Sequence, residues 1–229
     1  MALVLGRHAD GKSGLLLTAS YDHTVKVWVR TGDEVGGGLT GVGAGVGVAA
    51  LGDGSSGGSG SGGWALVSTL TGHSDGVLAL EVSRSRRLAF SGSNDCTVRV
   101  WDLMGGVCLQ VLTSHESSVS ALGWHMSSSS LATGAEDGVI LLWSVAALEE
   151  ALTAGGPSAV AGSGACCSLA QSLRIEGCEV LCIAASADGT ALFAGLDDGS
   201  FALLASSGGN DVAHGRTERA SSNAQRPVA

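Results

Sequence analysis

The chain has 229 residues, and 37 of them are glycine, about 16% against the usual ~7%. Its net charge of −9 argues against a nucleic-acid-binding protein that works by neutralising phosphates. Aromatic residues make up only 4% of a chain that is 45% hydrophobic, which favours many short strands over a few large helices.

The opening residues and the cysteines indicate a cellular setting. MALVLGRHADGK has five apolar residues with no basic residue before them, which is too short for a signal peptide, and no stretch is typical of a membrane span. The six cysteines form no CxxC pair, so we expect reduced thiols and an intracellular protein, cytoplasmic or nuclear. We expect protein partners, with no cofactor, metal, nucleic acid or membrane.

Four segments of the chain align when each is anchored on one aspartate. In three of them a tryptophan lies six residues after the aspartate, and in two a histidine lies 22 residues before it. In the first copy that histidine position falls before Met1. The aligned segments are LLLTASYDHTVKVW (15–28), LAFSGSNDCTVRVWD (88–102), LATGAEDGVILLWS (131–144) and LFAGLDDGSFALLA (192–205).

The spacing of the anchoring aspartates gives the period of the repeat. Asp95 and Asp137 are 42 residues apart, and the intervals on either side are longer by 31 and 19 residues. Both excesses are rich in small residues and fall in the same slot, after the third strand of the repeat. Surface loops tolerate such insertions and core strands do not.

Each copy contains the pattern of four short strands, as in GVLALEVS, RLAFSGS, TVRVWDL and VCLQVLTS. Gly72-His73, Ser91 to Asp95 and Trp101-Asp102 resemble the motifs of a WD repeat. The resemblance implies an all-β fold of β-propeller blades, each with four antiparallel strands. It covers about four WD repeats and implies an incomplete or open ring.

The repeat predicts blades, two flexible insertions and a tail, and it leaves open whether the chain is a fragment, self-associates or has its ring completed by another chain. The predicted parts are 1–34 and 64–71 (first blade, truncated at its start), 35–63 (Gly/Ser-rich flexible insertion), 72–113 (second blade), 114–152 and 168–175 (third blade), 153–167 (low-complexity insertion), 176–205 (degenerate fourth blade) and 206–229 (disordered tail).

In WD-repeat proteins the matching residues form a buried hydrogen-bond chain from histidine to aspartate, strand hydroxyl and tryptophan. The resemblance implies this structural network in three copies and none in the fourth, where Ala194 and Leu196 replace the hydroxyl. Ser20 and Ser93 are the fallback hydroxyls. The residues of the predicted network are Thr18, Asp22 and Trp28; His73, Ser91, Asp95 and Trp101; and His115, Thr133, Asp137 and Trp143.

The resemblance also implies a non-catalytic scaffold that presents loops to a protein or peptide partner. The candidate partner-binding residues precede each anchoring aspartate, and two of the four are acidic, which suggests a mildly basic partner segment. These residues are Tyr21, Asn94, Glu136 and Asp197. The alternative for each of them is a solvated turn residue without a partner.

Two other functions compete with the scaffold. Gly6 to Ser13 fits the GxxxxGK[ST] phosphate loop, but that loop must open a helix, and the residues after Ser13 match repeat strands. A substrate-receptor subunit of a ubiquitin ligase often carries Arg two residues after the WD pair, where this chain has Met104. A serine-hydrolase interpretation of His73, Ser91 and Asp95 fails because the set recurs at the same spacing as His115, Thr133 and Asp137, whereas an enzyme needs one site, and we expect no catalytic residue.

Overall fold

The computed structural model describes residues 2–7, 14–30, 49–50, 64–83, 85, 87–125, 129–186, 191–207 and 211–218. Within these ranges the chain forms four antiparallel sheets and one helix. Each sheet is one copy of the repeat, and neighbouring sheets pack face to face in chain order. The predicted all-β fold class, with four-stranded blades in a partial propeller, is confirmed.

The first sheet has the strand order β1-β2-β3-β5-β4. Its strands are β1 (Ala2–Arg7), β2 (Gly14–Ala19), β3 (Val25–Arg30), β4 (Ala49–Ala50) and β5 (Trp64–Leu70). The short strand β4 pairs with β5 and falls inside the predicted insertion 35–63. The rest of that insertion lies outside the described residues.

The second and third sheets each follow the chain in simple order from the first strand to the last. The second sheet consists of β6 (Val77–Val82), β7 (Leu88–Ser93), β8 (Val98–Asp102) and β9 (Val107–Leu112). The third sheet consists of β10 (Val119–His125), β11 (Ser130–Ala135), β12 (Val139–Ser144) and β13 (Ser168–Arg174).

The fourth sheet corrects the prediction of a disordered tail at 206–229. Its strands are β14 (Val180–Ala185), β15 (Ala191–Leu196), β16 (Phe201–Ser207) and β17 (Asp211–Glu218). The polar sequence of β17 contains no hydrophobic pattern, and backbone pairing with β16 forms this strand. Residues 219–229 lie outside the described residues.

The second insertion, 153–167, is mostly helical and not a flexible loop. Helix α1 (Ala146–Ser163) is interrupted at Gly155 and Gly156, which have non-helical backbone angles, and Gly164 ends it in the left-handed conformation. Leu148 and Leu152, four residues apart, are buried in the core between the second and third sheets. The alanine- and leucine-rich first half favours a helix, whereas Gly-Gly-Pro favoured the loop interpretation.

Helix α1 and the segment after it join the third sheet to the second. Gln110 on β9 forms two hydrogen bonds with the backbone of Cys167, one through its amide nitrogen (3.2 Å) and one through its amide oxygen (2.7 Å). Ser85 donates to Glu149 of the helix over 3.1 Å. This insertion therefore contributes to the junction between the two sheets. Among the described residues no helix is long and apolar enough to cross a bilayer.

Three hydrophobic cores lie between successive sheets. Because side chains alternate along a strand, each inner sheet has one face toward the preceding sheet and one toward the next. Trp101 of the second sheet packs against the first sheet, and Trp143 of the third packs against the second. The face toward the next sheet carries the aligned residues Leu17, Phe90 and Ala132, all of which are buried.

Candidate functional site

The four turns between the second and third strands of each sheet share one backbone geometry. The residue after each anchoring aspartate has positive φ, and its N–H donates to the carbonyl of the residue three positions earlier, over 3.1 to 3.3 Å. Each aspartate also accepts a hydrogen bond from the N–H two residues later. The positive-φ residues are His23 (67°), Cys96 (64°), Gly138 (78°) and Gly199 (79°).

In the second sheet the hydrogen-bond network is continuous from tryptophan to aspartate. Trp101 Nε1 donates to Ser91 Oγ over 2.8 Å, and Ser91 Oγ lies 2.7 Å from His73 Nε2. His73 Nδ1 lies 2.8 Å from Asp95 Oδ2. A neutral histidine with its proton on Nδ1 satisfies the whole chain: tryptophan donates to serine, serine to histidine and histidine to aspartate.

The electrostatics agree with a neutral histidine and an ionised aspartate. Burial lowers the pKa of His73 and outweighs the opposing hydrogen bond to Asp95. Burial acts to raise the pKa of Asp95, but hydrogen bonds from Thr97, His73 and Ser74 lower it to about 2. The carboxylate therefore stays charged near neutral pH while the imidazole is uncharged.

The third sheet repeats only part of this network. His115 Nε2 lies 2.7 Å from Thr133 Oγ1, and Trp143 Nε1 donates to the same hydroxyl over 3.1 Å. His115 Nδ1 is buried and has no hydrogen-bond partner among the described residues. The predicted link from His115 to Asp137 is therefore not formed, and Asp137 instead accepts from the backbone of Val139 at 3.2 Å.

The first and fourth copies hold the remaining predicted residues. Trp28 Nε1 donates to Thr18 Oγ1 over 3.1 Å, as its counterparts do in the second and third sheets. Asp22 is exposed and accepts from the Thr24 hydroxyl at 2.7 Å. This bond is the main cause of an Asp22 pKa of about 2. In the fourth copy Asp198 accepts from the backbone of Ser200 at 2.8 Å.

The fallback hydroxyls do not bond the tryptophans. Ser93 Oγ accepts from the backbone of Asp95 at 3.1 Å and donates to the carbonyl of Asp75 over 3.2 Å. Ser20 Oγ accepts from the backbone of Asp22 at 3.2 Å. The hydroxyl four residues before the aspartate thus accepts the hydrogen bond from the tryptophan. The serine two residues before the aspartate instead bonds the backbone of the turn.

The histidine, serine and aspartate of the second sheet cannot act as a hydrolase triad in this arrangement. Ser91 is fully buried, so its hydroxyl is closed to a substrate. The same hydroxyl is already engaged by His73 and Trp101. A nucleophile must reach the reacting carbon, and this one is committed to holding strands together.

Sequence reasoning missed two sets of contacts around the network. The Thr97 hydroxyl donates to Asp95 Oδ1 over 2.6 Å, and a threonine two residues after the aspartate was the available signal. Asp102 is buried and forms an ion pair with Arg87 at 3.5 Å. Asp102 also accepts from the backbone of Gly105 at 3.1 Å, so it holds the turn after β8.

The four candidate partner-binding residues lie in the equivalent turns. The Tyr21 side chain is 66% exposed, and a methyl group added at Gly76 would lie 2.5 Å from its ring, so the ring rests on the neighbouring sheet. Glu136 and Asp197 are exposed and Asn94 is half-buried. The backbone N–H groups of these last three donate to carbonyls just before the first strand of the same sheet, over 3.0 to 3.2 Å.

Adjacent turns are close enough to affect one another electrostatically. Burial raises the pKa of the Cys96 thiol, and the carboxylates of Asp95, Asp137 and Glu136 raise it further. Two of these carboxylates belong to the third sheet, whereas Cys96 belongs to the second. The turns of these two sheets therefore lie side by side. We call the surface formed by the four equivalent turns the turn face.

The phosphate-loop candidate lies mostly outside the described residues, at 8–13. Gly6 and Arg7 end strand β1, and strand β2 begins at Gly14. A phosphate loop requires a helix directly after its Lys-Ser pair, because the N-terminal amides of that helix hold the phosphate. The chain has a strand there.

Comparison with known proteins agrees with the repeated hydrogen-bond network. The family model described as "WD domain, G-beta repeat" matches residues 6–29, 64–102 and 106–144. These three regions of the chain are WD repeats. The matches cover most of the first three sheets, which contain the histidines, hydroxyls and tryptophans, and they do not include the fourth blade.

Individual relatives match shorter parts of the chain. Pre-mRNA-processing factor 19 of Bos taurus is 35% identical over 72 residues, which is 31% of this chain and 14% of that protein. COMPASS component SWD3 of Saccharomyces cerevisiae is 30% identical over 81 residues, or 35% of this chain and 26% of that protein. A probable E3 ubiquitin ligase complex SCF subunit, sconB of Emericella nidulans, is 45% identical over 51 residues, which is 22% of this chain and 8% of that protein. The chain thus covers well under a third of each of these relatives.

Proposed function

We propose that the chain is a non-catalytic interaction module whose turn face binds a basic segment of a protein partner. The observation that carries the proposal is the common geometry of the four turns, which present Tyr21, Asn94, Glu136 and Asp197 from equivalent positions. Backbone hydrogen bonds fix the turns, so binding would require little ordering of the chain.

The charge of the turn face supports a basic partner segment. Glu136 and Asp197 are exposed. Asp75 and Glu116, which come just before strands β6 and β10, are exposed as well. Carboxylates on one surface attract Lys and Arg side chains and raise the association rate of an oppositely charged partner. Tyr21 adds an exposed aromatic ring, a residue type that is enriched at interfaces.

The names of relatives that belong to complexes support a scaffold in general terms, and they do not agree on one complex. A COMPASS component and a probable SCF subunit are among them. The ubiquitin-ligase alternative gains no specific support, since Leu103 and Met104 follow the Trp101-Asp102 pair where such receptors often carry arginine. The nucleotide-binding alternative lacks its helix. We propose an intracellular location.

A labelled Arg/Lys-rich peptide tests the proposal, with a Glu-rich peptide of the same length as the control probe. Fluorescence anisotropy should show saturable binding of the basic peptide that weakens with added salt. The double variant Glu136→Lys with Asp197→Lys should lose affinity by about tenfold, from two surface charge pairs of ~0.5–1 kcal/mol each. Tyr21→Ala should weaken binding independently of salt.

Glu150→Lys provides the matched control, because Glu150 is an exposed carboxylate on helix α1, away from the turns. It changes the net charge in the same direction and should leave the affinity within about twofold after allowance for long-range charge. Equal losses in Glu150→Lys and in each turn-face variant would show a non-specific charge effect and contradict the proposal.

A further inference from the structure

The fourth strand of each blade lies on the outside of the molecule. The first strands of neighbouring blades contact one another, whereas the fourth strands, β5, β9, β13 and β17, do not; we call these the outer strands. The first and third blades cover the two faces of the second blade and leave the edge of its outer strand β9 free within the described residues. A free edge presents a row of backbone N–H and C=O groups that can pair with a further strand.

The four outer strands differ in charge. Charged side chains on an edge strand hinder pairing with another strand. Strand β13 carries Arg174, and strand β17 carries Asp211, Arg216 and Glu218. Strands β5 and β9 carry no charged residue and no proline. Of the four outer strands, these two therefore have edges that are open to pairing.

One of the two uncharged edges is already paired. Strand β4 adds to the free edge of β5 in the antiparallel orientation, with Ala49 opposite Leu66. This added strand consists of small uncharged residues and extends the first blade to five strands. The pairing shows that the outer edge of a blade in this chain accepts an extended uncharged segment.

Strand β9 has an equivalent edge, and in the described part of the chain it pairs with β8 alone. Its side chains include Val107, which is 43% exposed, and Val111, which is 39% exposed. Val107 pairs with Asp102 of β8. Val111 pairs with Arg99, an odd number of positions earlier on β8, so the two valines lie on opposite faces of the sheet. An added strand therefore meets an apolar side chain on each face.

The end of β9 that leads to the turn face is acidic. Four residues after Leu112, the last residue of β9, comes the exposed Glu116. Glu136 of the turn face is also exposed, and its backbone N–H donates to the carbonyl of Ser118 over 3.0 Å. The turn of the third blade thus contacts the segment that follows β9. A strand added along β9 leads toward these carboxylates, which attract Lys and Arg side chains.

We propose that β9 binds an extended, uncharged segment of a protein partner by antiparallel strand addition, and that Lys or Arg residues before this segment meet Glu116 and Glu136. The basic end of the segment rests on the proposed function of the turn face. Antiparallel pairing follows the example of β4 and β5 and brings the N-terminal end of the added strand to the C-terminal end of β9. A second copy of the chain fits this edge poorly, because each chain carries a net charge of −9.

A labelled peptide that begins Lys-Arg-Lys and continues Val-Thr-Val-Thr-Val-Thr tests the proposal on the full chain. The control peptide begins in the same way and continues with Gly-Ser repeats of equal length. In fluorescence anisotropy the Val-Thr peptide should bind about tenfold more tightly than the Gly-Ser peptide. The gain is expected because main-chain hydrogen bonds and side-chain packing along β9 add to the attraction between charges.

Methylation of the peptide backbone separates strand addition from other contacts. In an antiparallel edge pair, alternate residues of the added strand direct their N–H groups toward the neighbouring strand, and the others direct them away. N-methylation of one alternate set in the Val-Thr segment should therefore abolish the gain. N-methylation of the other set should retain it. Equal effects of the two sets would contradict strand addition.

Val107→Lys tests the edge from the side of the protein. It places a charge on β9 at the end away from Glu116, and it should reduce the affinity of the Val-Thr peptide to that of the Gly-Ser peptide. Leu169→Lys is the matched control, because Leu169 is 47% exposed on the charged outer strand β13 and the net charge changes equally. It should leave the affinity within about twofold of the wild type. Far-UV circular dichroism should match the wild type in both variants.

Several outcomes would overturn the proposal. These are equal affinities for the Val-Thr and Gly-Ser peptides, and a gain that survives Val107→Lys. Light scattering that gives more than the 22.6 kDa of one chain, and a single-chain mass for Val107→Lys, would assign the edge to a second copy instead. Failure of the turn face is distinguishable, because it abolishes binding of the Arg/Lys-rich peptide, whereas failure of strand addition abolishes only the difference between the Val-Thr and Gly-Ser peptides.

Discussion

The second and third blades carry the same histidine, hydroxyl and tryptophan, but they differ in the link to the aspartate. In the second, His73 Nδ1 meets Asp95 at 2.8 Å. In the third, His115 Nδ1 is buried without a hydrogen-bond partner in the described part of the chain. A buried polar atom left unpaired costs about 1–3 kcal/mol, so the hydrogen-bond network of the third blade stabilises the fold less than that of the second.

The two blades also differ in the residue two positions after the aspartate. Thr97 donates to Asp95 over 2.6 Å, and its hydroxyl oxygen lies 3.4 Å from His73 Nδ1. Val139 occupies the same position in the third blade and has no hydroxyl to offer. The repeat spacing thus brings the histidine, hydroxyl and tryptophan together in both blades. Whether the aspartate bonds the histidine depends on local contacts in its turn.

The largest expected effect is the loss of the aspartate of the second blade. Asp95→Ala removes the acceptor of His73, Ser74 and Thr97 and leaves a buried imidazole N–H unpaired. We expect the free energy of unfolding to fall by about 4 kcal/mol, since hydrogen bonds to a charged group contribute ~1.5–3 kcal/mol each and do not add fully. Urea denaturation measures it.

The matched variant is Asp137→Ala in the third blade. It removes a turn contact to the backbone of Val139 and no bond to His115. The expected loss is below about 1 kcal/mol. Equal losses in the two variants would contradict the difference between the blades and would indicate that Asp137 and His115 interact in solution.

The next effect is a loss of stability in mild acid. Burial, opposed by the nearby Asp137 carboxylate, lowers the pKa of His115 from its ordinary 6.5 to about 4. Between these values the unfolded chain binds a proton that the folded chain does not, so stability is fully present above about pH 6.5 and falls as the pH drops toward 4. Protonation of His115 should therefore lower the free energy of unfolding by about 3 kcal/mol, at about 1.36 kcal/mol for each pH unit.

The contribution of His115 can be separated from those of His73 and His125, whose pKa values burial also lowers. His115→Gln removes one titrating group, so its stability should depend less steeply on pH between 6.5 and 4 than that of the wild type. Thermal melts across this range measure the difference. Parallel curves for the two proteins would show that His115 does not titrate in this window.

The blades were predictable from sequence because the repeat imposes burial at fixed distances from one aspartate. Leu17, Phe90 and Ala132 lie five residues before it and are all buried. The alignment alone could not show that Phe193, in the same column, stays exposed. Burial at that position depends on a neighbouring blade and not on the residue type.

The elements that sequence reasoning got wrong are those with no apolar periodicity of their own. Strand β17 is held by backbone bonds to β16, which no side-chain pattern reports. Helix α1 contains Gly155, Gly156 and Pro157, which favour a loop, although Leu148 and Leu152 are buried. The break in the third network was hidden for a similar reason, since His115 and Asp137 have the correct spacing and still do not meet.

A smaller difference in stability is expected between alanine substitutions at two glycines that have the same backbone conformation. Gly138 in the third blade has φ of 78°, and a methyl group there would collide with the backbone carbonyls of Ile175 and Cys178. Gly138→Ala should cost about 2 kcal/mol, from left-handed strain and this clash. Gly199, with φ of 79°, has open space around it, so Gly199→Ala should cost about 1 kcal/mol. Equal losses of melting temperature would contradict the packing argument.

The smallest expected effect is a gain in stability from a substitution in the corresponding turn of the second blade. Cys96 has φ of 64° where the third blade has Gly138, and a side chain in this conformation costs about 1–2 kcal/mol. Cys96→Gly removes that strain, loses a weak Sγ hydrogen bond to the Asn94 carbonyl, and increases the entropy of the unfolded chain. The balance should be a stabilisation of about 1 kcal/mol, or a rise of about 2–4 °C in melting temperature.

Asn94→Gly is the control for this change, since Asn94 lies in the same turn without a positive φ. It adds the same entropy to the unfolded chain and relieves no strain, so it should lower the melting temperature. If Cys96→Gly lowered it equally, the left-handed conformation would cost nothing in the native turn. A rise would instead show that the turn of the second blade holds its aspartate against local strain, which the glycine of the third blade avoids.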